Sequence, residues 1–136
     1  MNRSSATGLK ILLALAIAAG PSIATAQSRI DVPIMLGGNG DEDACPSAGI
    51  IVGLNPRGDD FLSVRSGPGR LYAEKDRIHG GNAVHICDSR GGWMAVVYGG
   101  DGRGCGVSSP WPKRMAYTGP CKFGWVSSRY VRVTAG

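Results

Sequence analysis

The stretch 62-LSVRSGPGRLY-72 decides the fold class. Leu62 and Val64 alternate with polar residues, a pattern typical of a β-strand with one buried face, and the pattern stops at Ser66-Gly67-Pro68-Gly69. Glycine supplies backbone dihedrals that other residues avoid and proline fixes φ, so these four residues predict a sharp corner. A small barrel needs such corners, because its strands must bend for the sheet to close. Beside the corner, Arg65 either hydrogen-bonds the carbonyl groups or is solvated.

Short strand-like segments separated by glycine-rich turns follow one another from residue 49 onward. They are "GIIVGL" (49–54), "FLSVRS" (61–66), "AVHIC" (83–87), "WMAVVY" (93–98), "GWVSS" (124–128) and "YVRV" (130–133). The turn before Trp93 ends in Gly91-Gly92 and predicts a hairpin with positive φ. No window has apolar residues at helical spacing over helix length. We therefore expect an all-β domain of five or six short strands, a small barrel or sandwich.

The first 26 residues are predicted to be a secretory signal peptide. Arg3 and Lys10 precede the apolar run 11–19 and supply a positively charged N-terminal region, and Ala24-Thr25-Ala26 is a small-residue cleavage motif. The alternative is an uncleaved anchor, but the run is short for a bilayer span, and no segment of the mature chain is apolar enough for one. The protein is thus expected to be exported, to the periplasm or outside the cell, as a mature chain of about 110 residues, the size of one domain.

Residues 27–48 are expected to form a flexible leader. They contain few apolar residues, and Gly37-Gly38-Asn39-Gly40 is followed by three acidic residues. The formal net charge of the chain is +5; six of its ten acidic residues lie between residues 31 and 60, and six basic residues but no acidic ones follow residue 101. This moderate charge on an exported chain gives no reason to expect a nucleic-acid partner.

The four cysteines (Cys45, Cys87, Cys105 and Cys121) all follow the predicted signal peptide. An even number in a small exported domain predicts two disulfides, and the sequence by itself leaves three pairings open. His85 and Cys87 would share one face of a strand, so a nucleophile pair is conceivable. However, disulfides explain the cysteines more simply, and no phosphate loop, nucleophile elbow or zinc-ligand spacing is present. We expect no catalysis, metal or cofactor.

Taken together, these segments resemble the bacterial SH3 (SH3b) family. The matching pieces are Leu62-Ser63-Val64-Arg65-Ser66-Gly67-Pro68, Tyr72, Ile78 to Val84, Gly92-Trp93-Met94-Ala95-Val96, and Gly124-Trp125-Val126 through Tyr130-Val131. The resemblance implies an SH3-like barrel over residues 49–134. The family has a tight turn where this chain has residues 99–123, an insertion bracketed by Cys105 and Cys121. A disulfide across the base of that insertion is therefore expected, which leaves Cys45 to pair with Cys87.

The resemblance also implies a function. SH3b domains often accompany peptidoglycan hydrolases as their targeting part, so the chain is expected to be a non-catalytic binding module for peptidoglycan or for an envelope peptide or protein. The alternative is a protein–protein interaction or inhibitor module that presents loop 105–121 to a periplasmic partner. Candidate ligand contacts are aromatic residues and their basic neighbours: Tyr72, Trp111, Lys113, Arg114, Tyr117, Trp125 and Tyr130. The sequence does not indicate the oligomeric state.

Overall fold

The computed structural model describes residues 13, 15–23, 29–100 and 104–136. The predicted cleavage motif at 24–26 and the basic residues Arg3 and Lys10 lie outside the described residues. The described part of the predicted signal peptide is exposed and forms neither helix nor strand. Within the described ranges, no helix has the length and apolar character needed to cross a membrane.

The fold is all-β, as the sequence predicts, and the described residues form nine strands and one 3-10 turn. The strands are β1 (Met35–Leu36), β2 (Ser47–Ile51), β3 (Leu62–Arg65), β4 (Glu74–Ile78), β5 (Ala83–Arg90), β6 (Trp93–Tyr98), β7 (Met115–Ala116), β8 (Lys122–Ser127) and β9 (Val131–Ala135), and the 3-10 turn is Ser128–Tyr130. The sequence predicts fewer strands because β1 and β7 have two residues each and β4, "EKDRI", is too charged to resemble a strand.

Seven strands form one antiparallel sheet in the order β4-β3-β8-β6-β5-β2-β9, and β1 pairs with β7 in a separate ladder. Within the described residues β4 and β9 are edges, so the hydrogen bonding does not close into the predicted barrel. The sheet is nevertheless curved. Ile51 of β2, near one end of the strand order, packs in the same hydrophobic cluster as Val64 of β3 and Ile78 of β4 at the other end.

Glycine is required for different reasons in the predicted hairpin and in the predicted corner. Gly91 and Gly92, between β5 and β6, have φ of 52° and 84°, as the hairpin requires. At the corner, neither Gly67 nor Gly69 has positive φ, so the expectation that glycine is needed there for its dihedrals is wrong. Instead, a Cβ at Gly67 would overlap the ring of Tyr72. Arg65 Nη1 donates to the Tyr72 carbonyl at 2.9 Å, which fixes the other side of the corner.

The prediction of a flexible leader over residues 27–48 is wrong from Val32 onward. The Val32 amide donates to the Ser66 carbonyl at 2.7 Å, Ile34 and Leu36 are each 1% exposed, and β1 pairs with β7 of the insertion. Val32, Ile34 and Leu36 alternate with other residues, which is itself a strand pattern, short but readable. We call residues 31–46 the leader segment.

The buried side chains form two clusters. The strand core consists of Ile51, Leu62, Val64, Ile78, Val84, Ile86, Val96, Tyr98 and Val126. The leader–insertion core consists of Ile34, Leu36, Ala44, Cys45, Ala95, Val97, Cys105, Val107, Tyr117, Cys121 and Trp125. The predicted disulfide pairing is confirmed: Cys45 is bonded to Cys87 and Cys105 to Cys121. Both bridges belong to the leader–insertion core, since Cys87 packs against it.

Candidate functional site

A surface groove of about 680 Å³ lies between the loop after β2, strand β3 and the 3-10 turn. Its apolar lining is Leu54, Phe61, Trp93 and Tyr130, and its charged lining is Asp59, Arg65 and Arg70. We call it the aromatic groove. Three rings in an open groove form the kind of surface that buries an extended ligand, because rigid rings lose little conformational entropy on binding.

The backbone around Tyr130 fixes the position of its ring in the groove. The Val52 amide donates to the Tyr130 carbonyl at 2.9 Å, which ties the segment after β2 to the 3-10 turn. At the next residue, Gly53 has φ of 75°, a left-handed conformation that other residues rarely adopt, and its position faces the Tyr130 ring. Trp93 stands at the start of β6, immediately after the two-glycine turn.

Arginine side chains surround the aromatic groove. Arg65 is held by its bond to the Tyr72 carbonyl. The Arg77 guanidinium lies 4.1 Å from the centre of the Phe61 ring. Arg70 is exposed, and in the described part of the chain it forms no ion pair. An exposed arginine beside aromatic rings suits a carboxylate, which can accept two parallel hydrogen bonds from the guanidinium.

Of the sequence-predicted ligand contacts, only Tyr130 lines the aromatic groove. Tyr72 is half-buried, with its ring on Gly67 and the Arg29 guanidinium 5.5 Å from the ring centre, and it is outside the groove lining. The structure adds Phe61 and Arg70, which the sequence analysis missed. Phe61 begins a predicted strand and Arg70 follows the corner. Apart from lying near the corner, neither residue belongs to a sequence pattern that indicates ligand binding.

The prediction that Tyr117 and Trp125 contact a ligand is wrong, because both side chains are buried in the leader–insertion core. The Tyr117 hydroxyl donates to the Cys105 carbonyl at 3.0 Å and accepts from the Cys121 amide at 3.2 Å. The Trp125 indole N–H donates to the Val32 carbonyl at 3.0 Å. Their polar atoms are thus fully used in holding the leader segment and the insertion together.

The insertion residues form a surface separate from the aromatic groove. Trp111 is half-buried: its indole N–H donates to the Gly106 carbonyl at 2.9 Å and its ring stacks on Tyr117 with centroids 6.3 Å apart. Part of the Trp111 side chain is exposed, and its role as a ligand contact stays a prediction. Lys113 and Arg114 are exposed on this surface.

A polar cluster on the other side of the sheet joins β4, β6 and β8. The Tyr98 hydroxyl donates to Asp76 Oδ2 at 2.9 Å, and Lys122 Nζ lies 3.1 Å from the same oxygen. A hydrogen bond from the Arg77 backbone, together with those from Tyr98 and Lys122, lowers the pKa of Asp76. Burial, followed by the contact with Asp76, raises the pKa of Tyr98. These groups satisfy one another, so the cluster is a structural tie.

The described residues contain no group of three or more His, Cys, Asp or Glu side chains placed to hold a metal ion. Cys87 is in a disulfide, so the conceivable pair with His85 has no thiolate in this state. The absence of catalysis and of a cofactor stays a prediction. Searches with this chain found no matching family model, no matching curated protein and no matching solved structure.

Proposed function

We propose that this protein is an exported, non-catalytic binding module of the cell envelope, related to SH3b barrels, and that its aromatic groove binds peptidoglycan or an envelope peptide or protein. The observation that carries the proposal is the groove itself, in which Phe61, Trp93 and Tyr130 lie beside Arg65 and Arg70. The resemblance of the residue pattern to SH3b domains supports the cell envelope as the location of this ligand.

Three rings and a free guanidinium fit an extended chain with carboxylate groups. An extended ligand lays alternate groups against the rings, and Arg70 meets a carboxylate at the rim. Peptides of the cell wall carry such carboxylates. Two disulfides support an oxidising compartment, where bonds of this kind form and persist.

The test is co-sedimentation of the purified mature protein with washed sacculi, together with capture of partners from envelope extract. Tyr130→Ala and Arg70→Ala are expected to reduce binding roughly tenfold, because aromatic and arginine side chains contribute most of the affinity of such surfaces. Salt should weaken binding of the wild-type protein to sacculi by a larger factor than it weakens binding of Arg70→Ala, because the variant has lost one charged contact. Arg114→Ala is the matched control, since this exposed arginine is outside the groove.

A second candidate is docking of a periplasmic protein on loop 105–121. The favouring observation is that Lys113 and Arg114 project from a segment fixed by the Cys105–Cys121 disulfide and by the stacking of Trp111 on Tyr117. In that case Arg114→Ala abolishes capture of one protein, while Arg70→Ala has no effect. The groove proposal is wrong if that pattern appears, or if the wild type binds neither sacculi nor any envelope component. Release of soluble fragments from sacculi would contradict the non-catalytic assignment.

A further inference from the structure

A cavity of about 290 Å³ lies where the leader segment crosses the corner after β3. Its apolar walls come from Val32, Pro33 and Ile34 of the leader segment and from Tyr117, Phe123 and Trp125 on the other side. We call it the leader cavity. It differs from the aromatic groove, with which it shares only Arg65.

One polar group on the wall of the leader cavity has no partner. Ser66 is 3% exposed, and its hydroxyl oxygen makes no hydrogen bond among the described residues. The backbone of the same residue is fully paired, since its amide donates to Ala73 and its carbonyl accepts from Val32. A buried hydroxyl without a partner is rare in folded proteins, because its lost hydrogen bond to water is not replaced. A ligand that fits the cavity can supply the missing partner.

Two exposed residues of opposite charge also line the leader cavity, Asp31 and Lys75. Neither forms an ion pair within the described ranges. Lys75 Nζ lies 4.5 Å from the centre of the Phe123 ring, which holds the ammonium group beside the apolar wall. The Trp125 indole N–H already bonds the Val32 carbonyl. Arg65, the third charged residue of the lining, gives Nη1 to the Tyr72 carbonyl, and its guanidinium has further N–H groups that a ligand can use.

We propose that the leader cavity binds a free α-amino acid with an apolar side chain. Its carboxylate meets Lys75 and the Ser66 hydroxyl, its ammonium group meets Asp31, and its side chain packs between Ile34 and Phe123. The wall has two cationic residues, Arg65 and Lys75, for a carboxylate, and one anionic residue, Asp31, for the ammonium group that a zwitterion has and a phosphate does not. A volume of about 290 Å³ suits one small molecule.

The test is a titration of the mature protein with L- and D-leucine and L- and D-phenylalanine, followed by ¹H–¹⁵N NMR. The Trp125 indole N–H resonance is the reporter, because this group bonds the cavity wall at Val32. We expect a saturable shift for at least one of these amino acids. Lys75→Met and Asp31→Asn should each weaken binding roughly tenfold, as expected for loss of a charge-assisted hydrogen bond. Lys113→Met, an exposed lysine on the insertion, is the control and should bind like the wild type.

Ser66→Ala gives a second, independent measurement. It should weaken binding and at the same time raise the thermal midpoint of the unliganded protein, because it removes a buried hydroxyl that has no partner. A lower midpoint would mean that the hydroxyl is satisfied by water, which would overturn the proposal. So would the absence of an indole shift with every amino acid, or equal shifts with N-acetyl-leucine and leucinamide, which each lack one charge. Binding of sacculi by Asp31→Asn reports on the aromatic groove alone, so the two proposals fail separately.

Discussion

The strand core and the leader–insertion core are stabilised by different means. The strand core lies under a continuous antiparallel ladder, in which β5, β6 and β8 are paired along most of their length. One wall of the leader–insertion core is that same ladder, through Ala95, Val97 and Trp125. Its leader and insertion segments, as far as the structure describes them, are held to each other by the two-residue β1–β7 ladder and a few isolated backbone bonds, such as Ala44 N–H to the Ser109 carbonyl at 3.0 Å. All four cysteines belong to this second core or pack against it.

The difference shows where a small exported domain needs its cross-links. Regular strands fix their backbone by hydrogen bonding, so the strand core needs no covalent help. An irregular loop of the length of the insertion loses much conformational entropy on folding and has few regular bonds to offset it. Disulfides stabilise such a segment mainly by restricting its unfolded state. The leader segment, joined to β5 by Cys45–Cys87, covers the insertion and completes its core.

The strongest test of this comparison is a set of three identical substitutions. Ile34→Ala, in the leader segment, should lower the free energy of unfolding by about 4 kcal/mol, because it leaves a cavity in a fully buried site. Ile78→Ala, in the strand core, should lower it by a similar amount. Ile30→Ala, only four residues before Ile34 but 91% exposed, should change it by less than about 0.5 kcal/mol. Denaturant unfolding measures all three.

If Ile34→Ala behaves like Ile30→Ala, the leader segment is a tether and the second core does not exist as described. If Ile78→Ala alone is destabilising, the strand core carries the stability by itself. Equal effects of Ile34→Ala and Ile78→Ala make the domain one cooperative unit with two clusters.

The second test removes the bridge of the insertion. The double variant Cys105→Ala/Cys121→Ala should lose about 3 kcal/mol of stability, the value expected for a closed loop of this size. The loss should be local in hydrogen exchange: the Tyr117 amide, which donates to the Ile34 carbonyl, should lose more protection than the amides of the β5–β6 hairpin. Ser108→Ala, exposed in the same loop, is the control. Uniform loss of protection would contradict the division into two regions.

The strand core could be predicted from the sequence because its signals are local. Alternation at Leu62 and Val64 and the turn at Gly91-Gly92 each indicate their structure within a few residues, and both are confirmed. The role of Gly67 could not be predicted in this way. A glycine is required at position 67 because the Tyr72 ring occupies the space of a Cβ, and the packing of that ring on the corner is a tertiary contact.

The leader–insertion core depends on contacts between segments far apart in sequence. The apolar alternation of Val32, Ile34 and Leu36 was readable, but nothing local shows that its partner is residues 115–117. For the same reason the sequence predicts Tyr117 and Trp125 as ligand contacts, since an aromatic residue has the same signal in the sequence whether a core or a groove surrounds it. The aromatic groove was found only in part, through Tyr130, because Phe61 and Trp93 meet that residue only after folding.

The smallest expected effect concerns the tie between β4 and the rest of the sheet. Tyr98→Phe should lower stability by about 1 kcal/mol near neutral pH, because it removes the hydrogen bond to Asp76. The lowered pKa of Asp76 contributes stability that is complete above the ordinary value of 3.8 and is lost as the pH falls. The raised pKa of Tyr98 contributes stability that is complete below the ordinary value of 10.0 and is lost as the pH rises, since the unfolded tyrosine ionises first.

Thermal midpoints measured across the pH range should therefore show two differences between the wild type and Tyr98→Phe. The variant should lose less stability in acid, because Asp76 has lost one of the bonds that lower its pKa, and less in alkali, because it has no phenol at position 98. Tyr130→Phe is the matched control, because the Tyr130 hydroxyl makes no hydrogen bond among the described residues. Its thermal midpoints should fall in acid and in alkali as those of the wild type do. If the acid and alkaline losses of stability are the same in Tyr98→Phe as in the wild type, β4 is held by Ile78 and by its ladder with β3. The polar tie would then contribute nothing measurable to the stability of this edge of the sheet.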